Sequence, residues 1–279
     1  MNADSCFHIG KTHKVCEDYA LHCNEPVKMG LGPFAILCDG CSSSPDTDFG
    51  ARLLARAAAC NMSQNGVNLG DARREAEGWQ ESIRLHHLAL DATLMVVSQS
   101  GPDEVLATVV GDGVVAARKR DGGIEWYTIE YPSGAPGYLS YMRDDSRLAT
   151  YCKATNCHHV VGMYEDNILA MQEDYRCFKT ELGITFPGLS WNVEFDTKKY
   201  DLVAVMSDGA QSFMSKGLLS YQSVPVWEVV KRIMAVKGSK GEFMSRRVNR
   251  FLKTAQKEGW IHTDDLSVAA IFIPEPKEN

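Results

Sequence analysis

No stretch of this 279-residue sequence is apolar over anything near the ~20 residues that a membrane-spanning helix needs. The opening residues, MNADSCFHIGKTHK, lack the apolar segment of a secretory signal, so a cytoplasmic protein is expected. Positive charge is also scarce. Twenty-nine Lys and Arg against 36 Asp and Glu leave a net charge of −7, which speaks against a nucleic-acid binder that draws its affinity from a basic surface. The one basic stretch, Lys231 to Lys257, reads as a helix with a solvated face. The nine cysteines are odd in number and irregular in spacing, and Cys38, Cys60 and Cys177 stand among apolar or mixed residues. A chain this long needs no disulfide staples, so free thiols in a reducing compartment are expected. Repeats, low-complexity linkers and a clear domain boundary are all missing. One domain spanning 1–279 is therefore expected, with 131–200 as its least readable part.

What is present is ordinary globular composition, 44% apolar and 23% charged, enough for a sizeable core. Three short, nearly continuous apolar runs read as buried strands: FAILCDG (34–40), LVAVMSDG (202–209) and LSVAAIFI (266–273). A fourth segment, EVLATVVGDGVVAARKRDGGIEWYTIE (104–130), reads as strand, tight turn at Asp112-Gly113, strand, turn at Asp121-Gly122-Gly123, strand. One helix is expected from near Asp46-Thr47-Asp48 through FGARLLARAAACNMSQ, and a second over about 71–99. Another is expected over Lys240–Glu258, ended by Gly259. Strands, helices, strands, then helix and strand is a segregated order, which predicts an α+β fold with helices covering sheet faces.

Each of the three buried strands has an acid at one end: Asp39, Asp208, and the pair Asp264-Asp265. Asp18 and Asp112 occupy similar apolar-to-turn junctions. A single Asp there can simply start a turn by bonding nearby amides. Several from separate strands, brought together at one end of a sheet, would repel one another unless cations neutralise them. Hard divalent ions with oxygen ligands, Mg²⁺ or Mn²⁺, suit such a set.

The ordered set IGKTHKVCEDY (9–19), LCDGCSSS (37–44), VVGDGVV (109–115), VMSDGAQSF (205–213) and TDDLSVAAIFI (263–273) resembles the motifs of the metal-dependent Ser/Thr protein phosphatases of type 2C, the PPM family. No one motif is specific, but five in the right order over nearly the whole chain are, and the chain looks like a compact microbial or phage-type member. The resemblance implies a four-layer α-β-β-α sandwich: two antiparallel sheets face to face, a helix pair on each outer side, and a variable flap within 131–200. It implies hydrolysis of phosphoserine or phosphothreonine by a hydroxide bridging two divalent cations, with a position for a third. Asp39 would bridge the metals and the Gly40 carbonyl would ligate one. Asp208 and Asp264 would hold the other, with Asp39, Asp208 and Asp264 forming the catalytic core. Asp18 would act through water, with Glu17 beside it on the opposite metal. Asp112 would help hold the third ion, and Asp265, in the place usually taken by Asn, would orient Asp264 or a metal water. The implied partner is a phosphorylated protein, the product of a Ser/Thr kinase, met by a monomer in signalling, without nucleic acid or membrane.

The chain departs from the family pattern at two places. His13 stands where an Arg usually grips the phosphate, and is the candidate phosphate contact, with Lys11 or Lys14 as possible helpers. Cys41 follows Asp39-Gly40 where relatives often carry a His general acid, and a thiol of ordinary pKa suits that role poorly. Cys41 is also no phosphatase nucleophile of the Cys-x5-Arg kind, because Thr47 falls where the Arg should be. The loss of the Arg leaves two other readings: a pseudophosphatase serving as a binding or regulatory module, or a phosphomonoesterase for small metabolites. Ser42, Ser43 and Ser44 are expected to cap or turn. CKATNCHH (152–159) is expected to be a strand with incidental Cys and His. His86 and His87 are expected on the second helix, pointing apart.

Overall fold

The structure is a computed structural model that describes all residues except 26–31, 64–65, 157, 176–177, 181–182, 186–189, 218–219 and 276–279; Cys177 thus lies outside the described residues. Twelve strands form the two main sheets: β1 (Asn2–His8), β2 (Tyr19–Cys23), β3 (Phe34–Cys38), β4 (Leu94–Gln99), β5 (Glu104–Val110), β6 (Gly113–Lys119), β7 (Ile124–Glu130), β8 (His159–Glu165), β9 (Ile168–Tyr175), β10 (Ser190–Asp196), β11 (Tyr200–Met206) and β12 (Leu266–Phe272). One sheet has seven strands in the order β1-β12-β11-β6-β7-β8-β9, and the other has five, in the order β10-β5-β4-β3-β2. Their pairings are antiparallel. Among the described residues five α-helices accompany them: α1 (Thr47–Cys60), α2 (Leu69–Ser82), α3 (Asp145–Thr155), α4 (Val226–Met234) and α5 (Phe243–Lys257).

The continuous apolar runs follow from burial on both faces. Along β3, Phe34, Ile36 and Cys38 pack with α1 and α2, while Ala35 and Leu37 enter the layer between the sheets. Strand β12 shows the same alternation. Leu266, Val268 and Ala270 join the core under α4 and α5, and Ala269 and Ile271 face the opposite sheet. Side chains alternate with period two along a strand, so a strand covered on both sides has no polar position to give up. The helices are instead one-sided. In α5, Met244, Val248, Phe251 and Ala255 are buried at helical spacing, while Arg246, Arg250 and Lys253 are exposed. The result is the expected four-layer order of helix pair, sheet, sheet, helix pair. No helix among the described residues is long and apolar enough to cross a membrane. The seven described cysteines are free thiols.

Several local expectations are corrected. The second helix stops at Ser82, with Arg84 in left-handed backbone just beyond it, and Leu94–Gln99 is a strand paired with β3 and β5. A short apolar run containing Val96-Val97 fits helix or strand by periodicity, and the buried slot beside β3 decides the matter. Asp112-Gly113 is not a hairpin turn, because β5 and β6 belong to different sheets. The chain crosses between layers there, whereas Asp121-Gly122-Gly123 does close a hairpin, between β6 and β7. The basic stretch is two helices, α4 and α5, separated by a loop. Within CKATNCHH, Cys152–Thr155 end α3, which is closed by Asn156 in left-handed conformation, and only His159 enters a strand. His86 and His87 lie past α2, exposed, with ring centroids 4.3 Å apart instead of pointing apart. Asp46 precedes α1 in left-handed backbone and makes no side-chain cap bond.

The crossing at Gly113 leaves little room. Its φ is +138°, and a Cβ there would stand 2.6 Å from the Met206 carbonyl oxygen. Gly113→Ala is expected to lower stability by roughly 1–3 kcal/mol in urea denaturation. A loss within error of zero would show that the crossover shifts freely.

Candidate active site

The expected acids do meet, at one end of the sandwich, and they come from both sheets. Asp39 ends β3, and the residue before it, Cys38, is fully buried. Its backbone is anchored by Thr93, whose hydroxyl accepts from Asp39 N–H at 3.1 Å while Thr93 N–H donates to the Asp39 carbonyl at 2.8 Å. Gly40 bridges to Ala92. Asp208 opens a short 3₁₀ turn, Asp208–Gln211, straight after β11. Asp264 and Asp265 lead into β12, and Asp112 occupies the crossover between the sheets. An open cleft of about 380 Å³ is lined by Asp112, Asp208 and Asp264 together with Glu130, Gln211 and Ser212. Close approach of backbone segments makes this possible: a Cβ on Gly209 would stand 1.8 Å from the Asp265 carbonyl oxygen.

Asp265 ties the first motif to the last. Its carboxylate accepts from Gly10 N–H and Glu17 N–H, both at 2.6 Å, so it clamps the loop between β1 and β2. His13, on that loop, places Nε2 at 3.3 Å from Asp264 Oδ1 and Nδ1 at 3.1 Å from Asp265 Oδ2, with Glu17 Oε2 at 3.9 Å. The Nδ1 contact is a charge contact without hydrogen-bond alignment. Burial alone would lower the imidazole pKa, but the close contact with Asp265 and the charges of Asp265, Asp264 and Glu17 raise it overall. His13 thus faces three acids that favour its protonated form. Glu17 also receives the Thr47 hydroxyl at 3.4 Å, and burial first, then Asp265, raises its pKa against the opposing pull of His13.

The electrostatics of the remaining acids share one cause. Asp18 is fully buried. Ser207, Ser267 and Asp39 lie close enough to influence its titration, yet none meets either carboxyl oxygen in hydrogen-bond geometry. Desolvation pushes its pKa to about 7. Asp39, between Asp18 and Asp208, is raised well above the usual carboxylate range, first by burial and then by those two neighbours. Asp208 is raised by burial and by Asp264. Asp112 is pushed to about 7 by burial, Asp208 and Asp264. Among the described residues, no three His, Cys, Asp or Glu side chains are gathered as a formed metal site. The donor set nevertheless suits a hard divalent cation: carboxylates that resist ionisation without a counter-charge, and two buried oxygens on Asp18 without a partner. Asp18, Glu17, Asp39, Asp112, Asp208, Asp264 and the Gly40 carbonyl are the groups able to hold one.

Two features of the site are not legible in the sequence. Asp91 is buried and accepts from Ser44 Oγ at 3.1 Å, Ser140 Oγ at 2.7 Å and Arg147 at 2.6 Å, and its carbonyl accepts from Cys41 N–H at 2.8 Å. It lies in the stretch expected to be helix, so nothing singled it out. The serines therefore serve a turn and this network, not a helix cap: Ser44 N–H returns to the Cys41 carbonyl at 2.9 Å. Nor is the Cys41 thiol ordinary. Burial raises its pKa, but contacts with Ser43, Tyr138 and Ser44 outweigh burial and lower it.

The sequence pattern of the protein phosphatase 2C family matches residues 8–253. The chain belongs to this family. Its fold is shared with a bacterial serine phosphatase, at 11% identity and a TM-score of 0.54 with 100% of each chain covered. It is shared also with the serine/threonine phosphatase Stp1 from Staphylococcus aureus, at 13% identity and a TM-score of 0.54, covering 98% of this chain and 96% of that one. No curated protein sequence matches it. Within the 2C fold, Asp112, Asp208 and Asp264 line the cleft, while Asp39 lies close enough to Asp208 and the fully buried Asp18 for both to raise its pKa.

The raised pKa values fix a pH dependence. For Asp18 and Asp112 the folded value of about 7 exceeds the ordinary 3.8. Their contribution to stability is therefore complete below about pH 4 and is lost as pH rises through about 7. In EDTA, the melting temperature is expected to fall from pH 5.5 to pH 8. Millimolar Mn²⁺ or Mg²⁺ is expected to raise it far more at pH 8 than at pH 5.5. A melting temperature indifferent to both pH and cation would remove the electrostatic account of the cleft.

Proposed function

We propose that this chain is a divalent-cation-dependent phosphatase acting on phosphoserine or phosphothreonine in proteins. The observation that carries the reading is a cleft lined by Asp112, Asp208 and Asp264, with Asp39 and buried Asp18 in electrostatic reach of them and the acids supplied from two separate sheets, in a member of the 2C family. Asp39, Asp208 and Asp264 would hold two cations, Mn²⁺ or Mg²⁺, with the Gly40 carbonyl, Glu17 and Asp18 around them and Asp112 near a third. Bound there, the cations would lower the pKa of water and offset the charge of a phosphoryl group.

The chain's own residues do the positioning. Thr93 fixes the backbone of Asp39 from both sides, so the carboxylate leaves a rigid strand end. Asp265 sets the position of the loop carrying His13 and Glu17. His13 presents an imidazole whose positive form is favoured by its acid neighbours. An imidazolium offers a phosphate one charge-assisted bond where an Arg would offer two, so weaker ground-state binding is expected. A variable flap within residues 131–200 would carry substrate choice. The free substrate is read as a phosphorylated protein made by a kinase, and the enzyme as a cytoplasmic monomer.

A second reading, a pseudophosphatase that binds without hydrolysing, is favoured by one observation: His13 is already engaged with Asp264 and Asp265. Hydrolysis of p-nitrophenyl phosphate and of a phosphothreonine peptide, with Mn²⁺ against EDTA, separates the two. Turnover with Mn²⁺ that EDTA abolishes, and that Asp208→Asn reduces by about 100-fold or more, is the expected result. Inert wild type under every metal would favour the binding module. His13→Arg is expected to lower KM for the phosphopeptide; an unchanged KM would mean that His13 does not contact phosphate.

A further inference from the structure

A second polar cavity lies far from the acids. The loop after α4 and the first turns of α5 border a groove of about 600 Å³, with Lys237, Lys240, Arg246, Arg247 and Arg250 on its walls and the apolar side chains of Phe243 and Phe272 among its lining. Phe272 ends β12, whereas Asp264 and Asp265 precede its start. At about 3.4 Å per residue, the eight residues from Asp264 to Phe272 put the groove about 27 Å from the acidic cleft along the chain.

Five cations in one groove are out of character for a chain of net charge −7. No acidic side chain is among the residues that line the groove. Among the described residues none of the five forms an ion pair: Arg246 donates to the Lys240 carbonyl and Arg247 to the Arg232 carbonyl. Glu242, exposed at the start of α5, is not among the lining residues, and two other acids near α5 are occupied. Glu258 pairs with Arg232 at 2.6 Å, and buried Asp4 accepts from Met244 N–H and Ser245 N–H in the first turn of α5, at 2.5 and 3.2 Å. Arg247 is half-buried, and burial together with the charges of Arg250 and Arg232 lowers its pKa. Like charges held together without a counter-ion are a cost that an anion would relieve. Guanidinium forks match phosphate oxygens in pairs. The volume falls in the range of small-ligand sites, roughly 300–1,000 Å³, and the two rings, 6.1 Å apart in edge contact, give a flat apolar group somewhere to rest.

We infer that this groove binds a nucleoside di- or triphosphate, its phosphates against the arginines and lysines and its base against Phe272. The site is separate from the proposed phosphatase cleft and stands whether or not that cleft hydrolyses phosphoesters. The test is titration calorimetry with ADP in EDTA, so that no divalent cation can recruit the nucleotide to the acids. Pyrophosphate and adenosine are run alongside. Saturable binding of ADP is expected, tighter than pyrophosphate, with adenosine silent. Binding should weaken about tenfold or more in Arg246→Glu/Arg250→Glu and stay unchanged in Asp208→Asn. Lys237→Glu/Lys240→Glu, on the exposed loop, serves as an independent variant should the arginine pair fail to fold, and the same weakening is expected. No ADP binding by wild type, equal binding of ADP and pyrophosphate, indifference to the charge reversals of a folded variant, or loss of binding in Asp208→Asn would each overturn the assignment.

Discussion

Mutual repulsion among carboxylates is the constraint around which this structure is arranged. Asp112, Asp208 and Asp264 line one cleft, Asp39 and Asp18 lie within electrostatic reach of them, elements of two different sheets deliver the set, and burial leaves water little room to screen it. Such a cluster persists only if the scaffold holds each backbone segment against the push. The doubly covered strands β3, β11 and β12 supply that scaffold. Their apolar side chains are locked between a helix layer and the opposite sheet, so the acids at their ends have little freedom to relax apart.

The bonds near the cleft serve the same end. Asp265 gives up its carboxylate to two backbone amides and thereby acts as a structural residue, beside Asp264, which lines the cleft. His13 lies in contact with both, and their charges favour its protonated form. An Arg in its place would carry a permanent charge and a second donor pair. The imidazole instead carries a charge that depends on its acid neighbours.

The sequence made the layers and the acids readable because both are local signals. A strand covered on two faces must be apolar throughout, and an acid at its end interrupts that run abruptly. What stayed illegible depends on partners distant in sequence. Asp112-Gly113 looks like any hairpin turn, since nothing in the sequence of β5 and β6 says that they join different sheets. LMVVSQ extends an apolar pattern that fits a helix, and only the space beside β3 makes it a strand. Asp91 was hidden by the same error. The lowered thiol of Cys41 depends first on its neighbour Ser43, but also on Tyr138, almost a hundred residues away.

Asp91 also bears on how this protein can change. One buried carboxylate holds Ser44, on the loop that follows Asp39, and holds Ser140 and Arg147, in the segment that leads into and through the start of α3. The chemical end of the molecule and the segment beside it are therefore not interchangeable modules. A graft of residues 131–155 from a relative would strand a buried negative charge directly behind the Asp39 loop unless the hydroxyl and guanidinium partners came with it. Divergence in this region is channelled: the outward face of α3 is open to variation, and its inward face is held to the loop it braces.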